Sequence, residues 1–440
     1  MKFSPGPKTL TAVLLLALPT SSRALHASPL SRHRGFEDSA GAPSKSLFGL
    51  GGVPLSIQAN GIQYDLRNCR VHLVATLPGS HAFASNFIET VATDPKPNAR
   101  DANTVWALTA DMSSTVPYSD RALYLLQSTD GGLTWRTLAR IGPRYFDAKI
   151  GEGLRNGLGV APGGRDFVVT TQEGAFQVIP RARGAARIRP IPGPRVPAAP
   201  PRIPIAKKPG QPVRAGVVKI TADGRRMILG YGYFDLEPQL IEYRRGAGGR
   251  WVEMGRLPRL PTDLDIFSME FDQPHAAHPR SLYVGTGDQA FRLDLRTHLW
   301  HEIDGVGPDS AIHSMSTVHG LHLAACWGVY NPVSTDQVAR VTQASFLLHP
   351  NKDQAGPNIR AYSVEVDPLR PNREVVTTIT GVYTSADAGK TWHRVHGLPE
   401  TEFHTSHFNR DGSLILSGLG GTFLANPFAS TCAPRLVVRR

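Results

Sequence analysis

The sequence predicts an all-β protein: one ring of seven four-stranded antiparallel blades, a seven-bladed β-propeller with six or eight blades as the neighbouring alternatives. Three observations predict it. The octet Ser128-Thr129-Asp130-Gly131-Gly132-Leu133-Thr134-Trp135 recurs as Ser385-Ala386-Asp387-Ala388-Gly389-Lys390-Thr391-Trp392. Strand-like runs repeat in units close to the ~40–50 residues that a four-stranded blade occupies. The run Cys69 to Pro78 resembles the last strand of a unit but has no first three strands before it, and the C-terminal run His404 to Asn426 lacks an outer one. Pairing these N- and C-terminal strands closes the ring and removes both open edges.

Composition agrees with a folded chain. Of 440 residues, 41% are hydrophobic and three are Cys, which excludes a disordered, collagen-like or disulfide-scaffold protein. The net charge of +12 is local: nine Lys or Arg lie between Arg181 and Arg214 and three in the first 24 residues, so the rest is neutral. A folded basic face with interleaved aromatics is absent from this pattern, so no nucleic-acid partner is expected.

In chain order, residues 1–24 read as a secretory signal peptide, with Lys2 and Lys8, an apolar stretch from Thr9 to Pro19, and small residues around Ala24. Its apolar run is too short to span a bilayer, so export without membrane insertion is expected. Residues 25–55 are Ser-, Gly- and Arg-rich and read as a disordered leader. Residues 56–440 form one propeller domain. Its units are Glu89 to Leu138, Gly157 to Ile179, Gly216 to Met254, Ile266 to Ile303, Ile312 to Leu348, Tyr362 to Val395 and His404 to Leu424. Val91-Ala92-Thr93-Asp94-Pro95 and Val364-Glu365-Val366-Asp367-Pro368 mark equivalent strand ends, and Met269 to Pro274 is a looser copy. The insertion at 181–214 carries nine prolines and reads as an extended, solvated loop. Closing the ring brings Cys69 near Cys432, leaving open a disulfide or separately buried thiols; Cys326 reads as a strand core residue.

The two octets resemble the Asp-box (BNR) repeats of the sialidase superfamily of β-propellers. The resemblance implies hairpin turns between third and fourth strands, where the Asp accepts backbone N–H bonds and the Trp packs beside it. It assigns the boxes a structural role, on the face opposite the blade-to-blade connections. Sialidase activity is not implied. Arg202-Ile203-Pro204 matches the family's Arg-Ile-Pro motif, but it follows the first box and lies among prolines. The arginine triad and the Tyr/Glu nucleophile with its acid Asp are not found.

The opposite face carries the candidate chemistry. Counting five residues back from the Asp of the Asp-Pro pattern gives Glu89, Phe267 and Tyr362, and the looser units place Asn156, His313 and His404 at the same level. There, His313 or His404 is suited to proton transfer, Tyr362 to acting as partner acid, and Arg360 to neutralising a uronate carboxylate. Asp263 and Asp265 are the alternative, as paired carboxylates for glycoside hydrolysis. Glu89, His313 and His404 are the candidate holders of a structural metal ion near the pore, and no other cofactor is expected. These residues define a secreted, carbohydrate-active propeller, a hydrolase or lyase; the alternative is a non-catalytic glycan- or protein-binding propeller. The expected partner is an extracellular glycan or cell-surface molecule, and the chain is expected to be a monomer.

Overall fold

The computed structural model describes residues 56–59, 62–65, 72–73, 88–94, 103–110, 122–142, 156–181, 185–198, 209–232, 237–306, 310–326, 328–333, 341–343, 360–419 and 421–428. The signal peptide, the leader, Cys69 and Cys432 lie outside them.

Seven four-stranded antiparallel sheets account for the ring, as the sequence predicts. Blade 1 spans residues 90–141, blade 2 158–190, blade 3 215–256, blade 4 266–302, blade 5 312–343 and blade 6 361–394. Blade 7 takes three strands from residues 403–425 and its outermost one, His72–Leu73, from the start of the chain. His72 pairs with Leu424 and Leu73 with Phe423, so the N-terminal strand closes the ring. A separate hairpin joins Ser56–Ala59 to Ile62–Asp65.

Blade stacking explains the strand sequences. A second strand is covered by a blade on each side, and Phe167–Thr171, Ser281–Thr286, Glu374–Thr378 and Leu414–Gly418 are buried at every position. These stretches are rich in β-branched residues, which pack well on pleated surfaces. Outer strands face solvent: in Trp251–Arg256 only the first residue is buried. The apolar clusters lie between blades; one joins Val168 and Ala175 of blade 2 to Val218, Leu229 and Ile241 of blade 3.

Both octets fold into the same turn. Ser128 donates its hydroxyl to Asp130 (2.7 Å), and Asp130 accepts from the Thr134 amide (3.0 Å) and hydroxyl (2.5 Å). The Trp135 indole donates to the Gly132 carbonyl at 2.9 Å. In the second octet the corresponding distances are 2.8, 2.8, 2.6 and 3.0 Å. Trp135 and Trp392 are half-buried, packed against inter-blade clusters rather than sunk in them.

The basic insertion differs from the expected solvated loop. Arg187–Pro190 is the outermost strand of blade 2, paired with Phe176 to Ile179. Ile191, Val196 and Val213 are buried against Tyr231, Tyr243 and Trp251 of blade 3. Proline excludes helix and central strand but not an edge, where one side of the strand needs no partner. Arg195 and Pro212 bridge its two arms, and the Tyr243 hydroxyl donates to the Pro192 carbonyl at 2.6 Å.

Candidate functional site

Strand direction sets two rims. Within each blade the first and fourth strands start at opposite ends, so Trp135 and Trp392, each just before an outer strand, lie across the ring from residues that open inner strands. The end carrying the octets is the box rim; the other is the mouth rim.

At the mouth rim five inner strands carry a bulge at the same place. Register slips between Ala215 and Val217, Ile266 and Ser268, Ile312 and Ser314, Ala361 and Ser363, and Phe403 and Thr405. The extra residues are Gly216, Phe267, His313, Tyr362 and His404. A bulge re-aims its side chain, and here four successive ones meet. Ring centroids run from Phe267 to His313 at 5.8 Å, His313 to Tyr362 at 5.6 Å, and Tyr362 to His404 at 5.0 Å. Close approach of bulged strands demands small neighbours. A Cβ at Gly285 would stand 2.4 Å from Ser268 Oγ, and one at Gly418 2.1 Å from the Glu402 carbonyl oxygen.

The structure therefore brings His313, Tyr362 and His404 together. Two of these are well covered, His313 being 6% and Tyr362 3% exposed. His404 Nε2 is 3.2 Å from Glu402 Oε2, and His313 Nε2 is 3.4 Å from Cys326 Sγ. Asn156 acts as a strut: its amide donates to the carbonyls of Phe267 (2.9 Å) and His313 (3.0 Å). The remaining candidates precede inner strands. Glu89 is buried, at 1% exposure, at the start of blade 1, where its amide bonds the Leu108 carbonyl. Arg360 precedes the inner strand of blade 6, and its carbonyl accepts from the Ile379 amide. Asp263 is exposed and paired with Arg259 at 2.8 Å in the connection to blade 4, which also holds Asp265. Among the described residues no three His, Cys, Asp or Glu side chains gather as metal ligands, so Glu89, His313 and His404 do not form such a set.

Along the axis a small cavity of about 100 Å³ is lined by Asn156, Lys219, Glu270, His313, Tyr362, Glu365 and His404. It adjoins a wider one of about 230 Å³ that reaches Thr93, Pro274 and His275 toward the box rim. A belt of charge lines this wider space. Lys219 Nζ bonds Glu270 at 2.6 Å, and His407 Nδ1 lies 3.5 Å from Glu365, which also accepts from the Phe408 amide at 2.9 Å.

A second titratable cluster lies between blades 5 and 6, beside the second octet. Glu374 is buried, 3.6 Å from His322 Nδ1, which is 3.3 Å from Asn331 Oδ1. Burial first, then the nearby Asp387 charge, raises the Glu374 carboxyl to about 7. Burial lowers His322 to about 4. Sequence reading missed this pair. The available signal was an acid opening the strand Glu374-Val375-Val376-Thr377-Thr378, where blade 1 has Val105.

No family model matches the chain, and no curated protein matches it. Solved structures do. YCF48 bound to D1 peptide aligns at 13% identity with a TM-score of 0.50, over 82% of this chain and 98% of that one. The β-propeller domain of Cps50 (Swd1) from Myceliophteria thermophila aligns at 11% identity and a TM-score of 0.51, over 81% and 99%. The extracellular domain of a one-component system from B. thetaiotaomicron aligns at 13% identity with a TM-score of 0.49, over 81% of this chain and 40% of that one. Identities this low speak for the fold alone: the chain is a seven-bladed β-propeller.

Proposed function

We propose that the protein is a binding propeller that docks a peptide segment of a partner protein on its mouth rim. The observation that carries this is the commitment of the axial acid and base groups to one another. His404 faces Glu402, His313 faces Cys326, Lys219 holds Glu270, and Glu365 is held by the Phe408 amide beside His407. Asn156 spans the mouth between them. Beside it, Ile379 and Leu419 tip the neighbouring turns of blades 6 and 7, exposed by 38% and 57%. Apolar tips around a polar centre suit a peptide with one or two apolar anchors. The peptide-bound YCF48 structure, of nearly the same extent, supports this reading. On it the chain is an exported relative of the Asp-box propellers, with the boxes as structural turns.

One observation favours the hydrolase or lyase reading. A His404–Glu402 pair at 3.2 Å beside Tyr362 is the geometry of an oriented general base with an acid close by. A single comparison separates the two. The purified protein is offered a panel of neutral and uronic polysaccharides, following reducing ends and new double bonds, and a random peptide library. The binding reading expects no turnover and peptide capture that Leu419→Asp weakens. Turnover lost in His404→Ala would replace it.

A further inference from the structure

Cys326 ends the second strand of blade 5 on the mouth rim, and it is not the buried strand residue that the sequence suggests. Leu323, Ala324 and Ala325 before it are fully buried, whereas Cys326 is partly exposed. Its amide bonds the Ala311 carbonyl at 3.0 Å, and its sulfur lies 3.4 Å from His313 Nε2. His313 is fixed by its bulge and by the flanking rings of Phe267 and Tyr362, and it lines the upper axial cavity. A thiol within hydrogen-bond reach of an imidazole nitrogen is an arrangement for proton removal by the base. The chain carries three cysteines, an odd number, so at least one is left without an intramolecular partner.

We propose that Cys326 and His313 form a reactive thiol site at the channel mouth, which exchanges with small disulfides of the glutathione class. His313 Nε2 takes the thiol proton. The Cys326 thiolate attacks one sulfur of the disulfide, the new sulfur–sulfur bond forms as the old one breaks, and the departing thiolate recovers the proton from Nε2. One disulfide is consumed, one thiol is released, and the protein keeps a mixed disulfide on its mouth rim.

The test reacts the full chain with oxidised glutathione and with dithiodipyridine. The adduct is followed by mass spectrometry on the peptide that holds Cys326, so that Cys69 and Cys432 do not count. Near about pH 6 the protein is expected to react on the order of fivefold faster than His313→Gln, because the imidazole nitrogen within hydrogen-bond distance of the sulfur takes the thiol proton. At about pH 9.5 the two rates converge, since hydroxide then replaces the imidazole as the base. Cys326→Ser gives no adduct on that peptide. Equal rates at the lower pH, or no adduct in the parent protein, overturn the proposal. If His313→Gln fails to fold, the parent pH profile decides. A rate that falls less steeply toward about pH 6 than that of free cysteine measured alongside supports the site, and a matching fall contradicts it.

Discussion

On the box rim Asp387 is held by Ser385 and Thr391, two and four residues away. Across the channel Asn156 bonds carbonyls that lie 111 and 157 residues further along the chain. The box rim is built of turns whose Asp contacts lie within each octet, with a link between blades where Asn409 donates to the Gly131 carbonyl at 2.8 Å. The mouth rim holds one residue from each of several blades and exists only once the ring has closed. Local turns tolerate changes elsewhere; a shared mouth transmits them.

The two boxes differ in what lies beneath them, and removing that difference gives the largest expected effect. Ser128 pairs in register with Val105, but Ser385 pairs with Glu374, so the second box packs on a buried acid. With Glu374 raised to about 7, its burial cost is absent at low pH, grows above the unfolded value near 4.5, and is complete above about 7. His322, lowered to about 4, works in the opposite direction: its cost is absent above about 6.5 and grows as pH falls. Between these values the folded pair keeps its one proton on Glu374 and the unfolded pair on His322, so their slopes cancel. Glu374→Gln removes the first term. Its stability relative to the parent is expected to improve from pH ~5 to ~8, by on the order of 3 kcal/mol, read by urea unfolding across pH. A flat difference would show that the acid stays ionised.

Removing either box carboxylate, Asp130→Ala or Asp387→Ala, deletes its bonds to the Thr amide and hydroxyl and should cost about 1–2 kcal/mol in chemical denaturation. The two losses should add, because the boxes sit in blades 1 and 6. Thr391 and Ser385 hold Asp387 down to about 2 against the opposing effect of burial. Its contribution is thus present above the unfolded value near 4 and fades as pH falls through about 2. Asn156→Ala should cost about 1 kcal/mol, since it deletes the two amide bonds to the Phe267 and His313 carbonyls. The smallest change expected is a gain. Ala388 has φ of 58°, where the first octet has Gly131 at 72°. Ala388→Gly relieves that strain and should raise stability by about 0.5–1 kcal/mol, measured as a shifted unfolding midpoint.

The same contrast explains what the sequence disclosed. The box turns, the blade boundaries and the closing strand were legible because each rests on a short pattern or on alternation along one strand. Tyr362 was placed by counting back from an Asp-Pro pair, and His313 and His404 followed from the looser units. Their meeting depends on a bulge, which no residue type announces. Asn156 was placed at the right level, but its reach across the axis depends on blades 4 and 5. Cys326 looked like its buried neighbours until the turn at the end of its strand turned it toward His313. The outer strand Arg187–Pro190 was hidden by charge and proline, because an edge strand needs neither alternation nor every amide.

The assignment of binding to the mouth rim is tested most directly by hydrogen–deuterium exchange of the full chain with and without a library-selected peptide. Docking at the mouth rim predicts protection of the turns bearing Ile379 and Leu419 and of the inner-strand starts at His313, Tyr362 and His404, with the box turns unchanged. Protection of residues 129–134 and 386–391 instead, with the mouth unaltered, would contradict it.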